Sequence, residues 1–278
     1  MVLSKEKEQK YLKEVQKAGW KLVNIKEDEQ TTAICLAAVK QNGYALKYVK
    51  KQTPEICLEA VKQDGMALEY VKEQTEAICL EAVKNRGWAL QFVNEQTFEI
   101  CLEAVKNDGF ALQFVKEQTF EICLTAVKQR GMALQWVNHP TKELCSEAVK
   151  QEGSALQIVK EQTEELCLEA VKQDGFALQY VKNQTEEICL EAVKRDAASF
   201  YYVKQPTEEM CLTVLFQNPS NYQQIKYPTE EMKMVYHLIN EDWKENQLSY
   251  QEIRLKQSSG ELKRNQSPYQ VLNQLCCH

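Results

Sequence analysis

The sequence contains little of what catalytic and metal-binding proteins rely on. Its only histidines are His139, His237 and His278, and its eleven cysteines include no CxxC pair. This composition offers no zinc-binding constellation. No apolar run has the length needed to span a membrane. Residues 1–14 are charged and helix-prone without an apolar segment, so we expect no secretory signal there.

The sequence also lacks an excess of positive charge and any glycine-rich loop. Its 34 Lys and Arg residues are outnumbered by 40 Asp and Glu residues, and the pI is about 5.4, whereas nucleic-acid binders usually carry a basic stripe. Each glycine is isolated and is interpreted as the end of a helix, not as part of a phosphate-binding loop. We therefore predict that the protein is not an enzyme and has no cofactor and no metal site.

What the sequence does contain is one motif that recurs every 22 residues. The stretch 53–74 reads TPEICLEAVKQDGMALEYVKEQ, and the next stretch reads TEAICLEAVKNRGWALQFVNEQ. A fixed period of this size is typical of stacked repeat proteins. The repeating cysteines are Cys35, Cys57, Cys79, Cys101, Cys123, Cys145, Cys167, Cys189 and Cys211.

Each repeat is predicted to hold two short helices. Thr53 suits the N-cap of the first helix, Pro54 suits its first position, and Gly65 suits a left-handed residue that ends it. At 100° per residue, the apolar residues of 56–61 cover an arc of about 200°, which is wide for a helix with one neighbour. The second helix is predicted over Met66–Lys72. These features predict an all-α fold, an α-solenoid of helix-pair repeats that forms an elongated superhelix with N- and C-terminal caps.

The motif is regular only in the middle of the chain. Residues 1–30 are predicted to be an N-terminal cap, in which a degenerate repeat has two extra residues in an acidic turn. Residues 31–206 are the regular repeats, and residues 207–243 are a degenerate C-terminal cap. Residues 244–278 are predicted to be a polar tail that is partly disordered or docked, and the role of Cys276 and Cys277 within it is left open.

The repeating cysteines are predicted to be buried fillers. Helices pack about 8–10 Å apart, which exceeds the Cα distance that a disulfide tolerates between neighbouring repeats. Cysteine serves as a small apolar residue where helices approach closely. Many free thiols indicate a reducing compartment, so we expect a cytoplasmic location. Cys145 lies near His139 in the sequence, but we do not expect them to form a nucleophile–base pair.

We call the residues at one position of successive repeats a column. Two charged columns lie within the first helices of the repeats. A lysine about every 10 Å suits a phosphate backbone, but a column of glutamates beside it would cancel the field. We interpret both columns as a solvated face with intrahelical ion pairs, and we keep nucleic-acid binding as an alternative. The lysine column is Lys62, Lys84, Lys106, Lys128, Lys150, Lys172 and Lys194.

Two phenylalanines in a charged column are the candidate partner-binding residues. The residue after the N-cap threonine is Glu or Lys in most repeats, but it is Phe98 and Phe120 in two successive ones. A column that accepts Glu and Lys is exposed, so we predict two exposed aromatic residues, which often mark an interface. The alternative is that both rings pack onto the preceding turn.

Two aromatic columns lie within the second helices of the repeats, and we assign both to the core. Both columns contain a smaller residue in the same repeat, Ser154 in one and Ile158 in the other. The lost side-chain volume predicts either a cavity or a bend of the stack. The aromatic residues are Tyr44, Trp88, Phe110 and Phe176 in the first column, and Tyr48, Tyr70, Phe92, Phe114, Trp136, Tyr180 and Tyr202 in the second.

The run TxEICLEAVKxDGxALxYVKxQ resembles an uncharacterised repeat family of unknown function, in which a unit of about fifty residues holds two such helix pairs. Members of that family occur in giant DNA viruses of amoebae and in amoeba-associated intracellular bacteria. The resemblance covers residues 31–206. It implies a helical repeat fold and a viral or host-directed setting, in the host cytoplasm or the virion. It brings no known catalytic residue, cofactor or substrate.

Together these features predict a non-enzymatic protein–protein interaction scaffold that displays an extended surface across its repeats. The first alternative is a structural component, such as a virion protein, that associates with copies of itself. The second is nucleic-acid binding through the lysine column, which the acidic pI disfavours. The sequence does not identify the partner, the binding face, the hand of the superhelix or the oligomeric state.

Overall fold

The computed structural model describes residues 3–229 and, beyond them, residues 232, 233 and 236. Within this part of the chain all regular secondary structure is helical, and each 22-residue repeat pairs one α-helix with one 3₁₀-helix. The predicted all-α repeat fold of the solenoid type is therefore confirmed. The chain divides into a first unit that ends at Gln151 and a second unit that begins at Glu152.

The α-helices are short and nearly identical in length. In the first unit, α1 (Lys5–Lys17) has 13 residues and the helices that follow it have 10. The latter are α2 (Thr32–Gln41), α3 (Pro54–Gln63), α4 (Glu76–Asn85), α5 (Phe98–Asn107), α6 (Phe120–Gln129) and α7 (Lys142–Gln151). The described part of the second unit contains α8 (Glu164–Gln173), α9 (Glu186–Arg195) and α10 (Glu208–Gln217).

A 3₁₀-helix of six residues follows each of these α-helices. Those of the first unit are Gly19–Asn24, Gly43–Tyr48, Gly65–Tyr70, Gly87–Phe92, Gly109–Phe114 and Gly131–Trp136, with an additional three-residue turn at Glu27–Glu29. Those described in the second unit are Gly153–Ile158, Gly175–Tyr180, Ala197–Tyr202 and Pro219–Gln224.

Threonine caps begin the repeat α-helices, as predicted. The Thr53 hydroxyl accepts a hydrogen bond from the backbone N–H of Ile56 at 3.4 Å, and Pro54 occupies the first turn. The Thr97 hydroxyl accepts from Ile100 in the same way, at 3.3 Å. Each cap satisfies one backbone donor that the first helical turn leaves without a partner.

The predicted role of glycine at the helix ends is wrong. Helix α3 ends at Gln63, and its C-cap residue Asp64 has an extended backbone, with φ −149° and ψ 116°. Gly65 then begins the 3₁₀-helix, and its φ is not in the left-handed region. Glycine is needed there for a different reason, because a Cβ on Gly65 would lie 2.3 Å from the backbone oxygen of Ala82 in the next repeat. Glycine at this position of the repeat therefore permits close contact between neighbouring repeats.

The assignment of the aromatic columns to the core is also wrong. Tyr44, Trp88, Trp136 and Phe176 are 38–41% exposed. The prediction counted 100° per residue, but a 3₁₀-helix has three residues per turn, so residues i and i+3 share a face. The buried residues are the glycine, the leucine three residues later and the valine that follows the helix, together with the alanine that precedes the leucine. The residue after each glycine is exposed or half-buried.

Side-chain amides connect consecutive repeats, a feature that the sequence analysis missed. The Gln52 side chain donates to the backbone oxygen of Tyr70 at 2.8 Å and accepts from the backbone N–H of Lys72 at 3.0 Å. The Asn85 side chain accepts from the N–H of Gly65 at 2.7 Å and donates to the oxygen of Lys62 at 2.9 Å. These contacts satisfy backbone groups in the last turn of α3 and in the segments that follow it. The recurring Gln-Thr pair was the available signal.

The cysteine column lies in the core. The repeating cysteines are free thiols, and all of them are buried except the half-buried Cys145. Several donate weakly to the connecting glutamine, for example Cys57 Sγ to Gln52 Oε1 at 3.6 Å. Burial raises the pKa of the Cys35 thiol to about 11. The predicted role as small buried residues is confirmed.

The first repeat differs from the others in the way the sequence suggests. The extra residues form the turn Glu27–Glu29, and Glu29 accepts a hydrogen bond from the Tyr11 hydroxyl of α1 at 2.8 Å. Lys7 of α1 also forms an ion pair with Glu29. The limits assigned to the two caps stay predictions. Most of residues 230–243 of the predicted C-terminal cap, and the whole of 244–278 with Cys276 and Cys277, lie outside the described residues.

Candidate protein-binding surface

Phe98 and Phe120 are exposed, as predicted. They are the first residues of α5 and α6, directly after the capping threonines. Phe98 is 47% exposed and Phe120 is 46% exposed. At a helix start, such a side chain projects away from the repeat core, and the neighbouring repeats place Glu76 and Lys142 in the same column. Their role in binding stays a prediction.

A cavity of about 260 Å³ lies beside Phe98. Phe98 and Cys101 of α5 and Ile122 of α6 contribute to its lining, together with Lys116 and Glu117 of the connection between these helices. Small-molecule sites usually measure about 300–1,000 Å³. The cavity is therefore closer in size to a recess for part of one side chain than to a site for a large ligand.

The polar groups of this cavity are held by the repeat connections. Gln96 accepts from the backbone N–H of Lys116 at 3.0 Å and donates to the backbone oxygen of Phe114 at 2.9 Å. The Lys116 ammonium donates to the oxygen of Asn94 at 3.0 Å. These bonds fix the lining around Phe98, so an incoming side chain meets a preformed surface with little conformational freedom left to lose.

The thiols of Cys101 and Cys145 are poorly suited to nucleophilic chemistry. Burial raises the pKa of Cys101, and Glu117 adds to the shift while Lys116 opposes it. Burial also raises the pKa of Cys145. Reactive cysteines show the opposite shift, because the thiolate is the nucleophile. His139, the histidine nearest to Cys145 in the sequence, is exposed.

The lysine column lies on the surface and is paired with the glutamate column. Within single helices, Lys106 Nζ is 2.7 Å from Glu103 and Lys194 Nζ is 3.1 Å from Glu191. Lys62 and Lys150 make the same i,i+3 pair at 3.7 and 3.6 Å. The predicted intrahelical pairs are thus confirmed. Lys84, Lys128 and Lys172 are exposed as well, and Lys128 lies 4.0 Å from Glu147 of the next helix.

The second unit contains a larger cavity, of about 520 Å³, at the position where the sequence predicts lost volume. Ser154 contributes to its lining, with Phe176 and Asp174 from the next repeat. Of the two outcomes foreseen for Ser154, the structure shows a cavity. The half-exposed Ile158 is not among its lining residues.

The comparison with protein families identifies the repeat. A model described as a domain of unknown function, DUF4116, matches residues 33–75, 53–96, 75–120, 97–142, 141–184 and 163–205. The chain belongs to the DUF4116 family. Each match spans two consecutive repeats, and the matches overlap along both units, so the repeat of this DUF4116 protein is the pair of helices described above.

The remaining comparisons add no function. Neither the curated proteins nor the solved structures compared with this DUF4116 chain include a match. Among the residues described, no helix combines the length and apolar character that crossing a membrane requires. No group of three or more His, Cys, Asp or Glu side chains in the same residues is placed to hold a metal ion.

Proposed function

We propose that this DUF4116 protein is a non-enzymatic interaction scaffold and that a partner protein docks on Phe98 and Phe120. The observation that carries the proposal is the exposure of these two rings, 47% and 46%, in successive repeats of a column that is Glu or Lys in most other repeats. Aromatic residues that lose their exposure on binding supply much of the energy of protein interfaces. The recess beside Phe98 offers a partner side chain a place next to the rings.

The repeat explains how such a surface would work. Amide side chains and close glycine contacts hold neighbouring repeats in a fixed arrangement, so α5 and α6 present their first turns at a constant spacing. A partner that contacts both turns gains from two sites at once without having to order either of them. The function proposed is display of a rigid surface, and it requires no chemistry from the scaffold.

The test compares the purified wild-type protein with the double variant Phe98→Glu/Phe120→Glu. Both proteins are used to capture partners from cytosol, with and without nuclease. We expect a defined set of proteins that survives nuclease treatment and is lost with the double variant. The variant should unfold at the same temperature as the wild type, because both positions already accept charged residues in other repeats.

A matched control is available in the same column. Lys142→Glu places a new carboxylate one repeat away from Phe120 without removing an aromatic ring, so it should leave capture unchanged. Equal capture by the double variant and the wild type would contradict the proposed site. Recovery lost to nuclease would favour nucleic-acid binding through the lysine column, and recovery of the protein alone would favour self-assembly, including the virion role that the family resemblance suggests.

A further inference from the structure

The cavity of the second unit is lined by three consecutive repeats. Ser154 lies on the first of them, Asp174 and Phe176 lie on the second, and Arg195 and Asp196 lie on the third. Its volume of about 520 Å³ falls within the range of small-molecule and side-chain binding sites. The cavity is open to solvent, and Phe176 is 38% exposed beside it.

The first unit shows what fills the equivalent space elsewhere in the chain. Asp108 Oδ1 lies 3.5 Å from Arg130 Nε and accepts the backbone N–H of Phe110 at 3.0 Å. Asp108 Oδ2 accepts the indole N–H of Trp88 at 2.9 Å. The Arg130 guanidinium carbon lies 4.9 Å from the centroid of the Phe110 ring. A guanidinium is thus held between a carboxylate and an aromatic face, next to a tryptophan.

The second unit retains half of this arrangement and lacks the other half. Three repeats later, the corresponding residues are Ser154, Asp174, Phe176 and Asp196. Asp174 Oδ1 accepts the N–H of Phe176 at 3.0 Å, so the carboxylate and the ring have the same local geometry as in the first unit. Serine replaces the covering tryptophan, and an aspartate replaces the arginine. The carboxylate and the ring remain, but the chain supplies no guanidinium between them.

The charge of the cavity is unbalanced toward the acidic side. Its lining includes the carboxylates of Glu152, Asp174 and Asp196 and the guanidinium of Arg195. Arg195 is directed to the backbone oxygen of Gln173, at 3.4 Å. Within the described residues, no basic side chain lies within ion-pair distance of Asp174 or Asp196. These carboxylates also do not form a group that could hold a metal ion.

We propose that this cavity binds the guanidinium group of an arginine side chain from another polypeptide. The ligand would take the place that Arg130 takes in the first unit, paired with Asp174 and stacked on Phe176. A guanidinium fits better than an ammonium, because it is planar and can both stack on a ring and pair with a carboxylate. The same pairing occurs at Arg86, whose Nε lies 3.4 Å from Asp64. The open cavity lets the chain that carries the arginine pass outside.

The binding test titrates the full-length protein with a blocked Ala-Arg-Ala peptide. Binding is measured from the NMR chemical shifts of the backbone amides of Gly153, Gly175 and Phe176. The peptides with lysine and with the neutral isostere citrulline are the ligand controls. We expect saturable shifts with the arginine peptide and binding weaker by about tenfold or more with citrulline. Equal shifts with citrulline would overturn the proposal. If free L-arginine binds and the arginine peptide does not, the ligand is a free amino acid, and the proposal of a polypeptide ligand is wrong.

Variants that rebuild the first-unit arrangement test the location. Ser154→Trp should cover the cavity, and Asp196→Arg should supply an internal guanidinium, so each should abolish the shifts. Ser154→Ala, which leaves the space open, should not. Persistent shifts in folded Ser154→Trp and Asp196→Arg proteins would overturn the proposal.

The first unit provides the opposite experiment. Trp88→Ser combined with Arg130→Asp removes the internal tryptophan and guanidinium, and should create a second site that shifts the amides of Gly87 and Phe110. This gain of binding decides the question if the second-unit variants fail to fold, and its absence in a folded protein would then count against the proposal. The outcome is independent of the Phe98 and Phe120 surface.

Discussion

Substitution of Gly65 by alanine tests whether close backbone contact holds the repeats together. An alanine Cβ would lie 2.3 Å from the backbone oxygen of Ala82, about 1 Å short of an ordinary contact. The opposing atom is not the end of a flexible side chain. The Ala82 oxygen also accepts the N–H of Arg86 at 2.9 Å, the bond that completes the end of α4. Relief of the clash therefore requires movement of a helix end.

The magnitude follows from two opposing effects. Overpacking of a close contact costs about 1–3 kcal/mol and occasionally more. A change from glycine to alanine also stabilises the folded state by about 0.4–1 kcal/mol, because the unfolded chain has less conformational entropy. At 2.3 Å from backbone we expect a net loss of about 2 kcal/mol in Gly65→Ala. Gly175→Ala should lose less, because its Cβ would lie 2.8 Å from the oxygen of Ala192. Ala197 shows that one repeat already accepts a Cβ in this column.

Native-state hydrogen exchange is the suitable assay, because repeat proteins can open locally and a single unfolding midpoint would mix several events. Amides at the end of α4, including that of Arg86, should lose protection in Gly65→Ala by about 2 kcal/mol. Amides at the end of α9 should change less in Gly175→Ala. Unchanged protection in Gly65→Ala, or a larger loss in Gly175→Ala, would refute the reasoning about close contact.

Three other changes have defined expected outcomes. Ser199→Ala should stabilise its repeat by about 1–3 kcal/mol in the same hydrogen-exchange assay, because the buried Ser199 hydroxyl has no hydrogen-bond partner among the described residues. Gln96→Leu should speed exchange of the Lys116 amide and destabilise by about 2 kcal/mol, since the backbone groups of Lys116 and Phe114 lose their partner. The Cys35 thiol stays protonated in the folded state up to about pH 11. The contribution of this thiol to the free energy of unfolding is therefore fully present below about pH 9. It is lost as the pH rises toward 11, by about 1.4 kcal/mol per pH unit. Cys35→Ala should remove that part of the pH dependence of unfolding.

The α-helices could be predicted from the sequence because their signals are local. The threonine cap, the proline at the first position and the apolar residues at 3.6-residue spacing act within one repeat. Thr53 and Pro54 occupy the predicted positions. The exposure of Phe98 was predictable as well, because the same column holds charged residues in other repeats.

The second element of the repeat shows where this reasoning fails. A six-residue segment such as Gly65–Tyr70 does not reveal whether it winds with 3.6 or 3.0 residues per turn. Because of that difference, Trp88 was predicted to lie in the core but lies at the surface. The role of Gly65 could not be deduced either, because the atom that excludes a side chain belongs to another repeat, 17 residues along the chain. Contacts between repeats are set by packing, which a pattern within one repeat does not specify.

The repeat also separates positions that must stay constant from positions that can differ. The glycine and the connecting amides each contact the neighbouring repeat, so a change at either of them disturbs two repeats. The residue after the threonine and the residue after the glycine are exposed or half-buried, and the residue types in both columns differ between repeats. Phe98 lies in the first of these columns and Ser154 in the second. A repeat protein can acquire a binding surface at such positions with little loss of stability, which is why both proposed sites lie there and why substitutions at them should change binding more than folding.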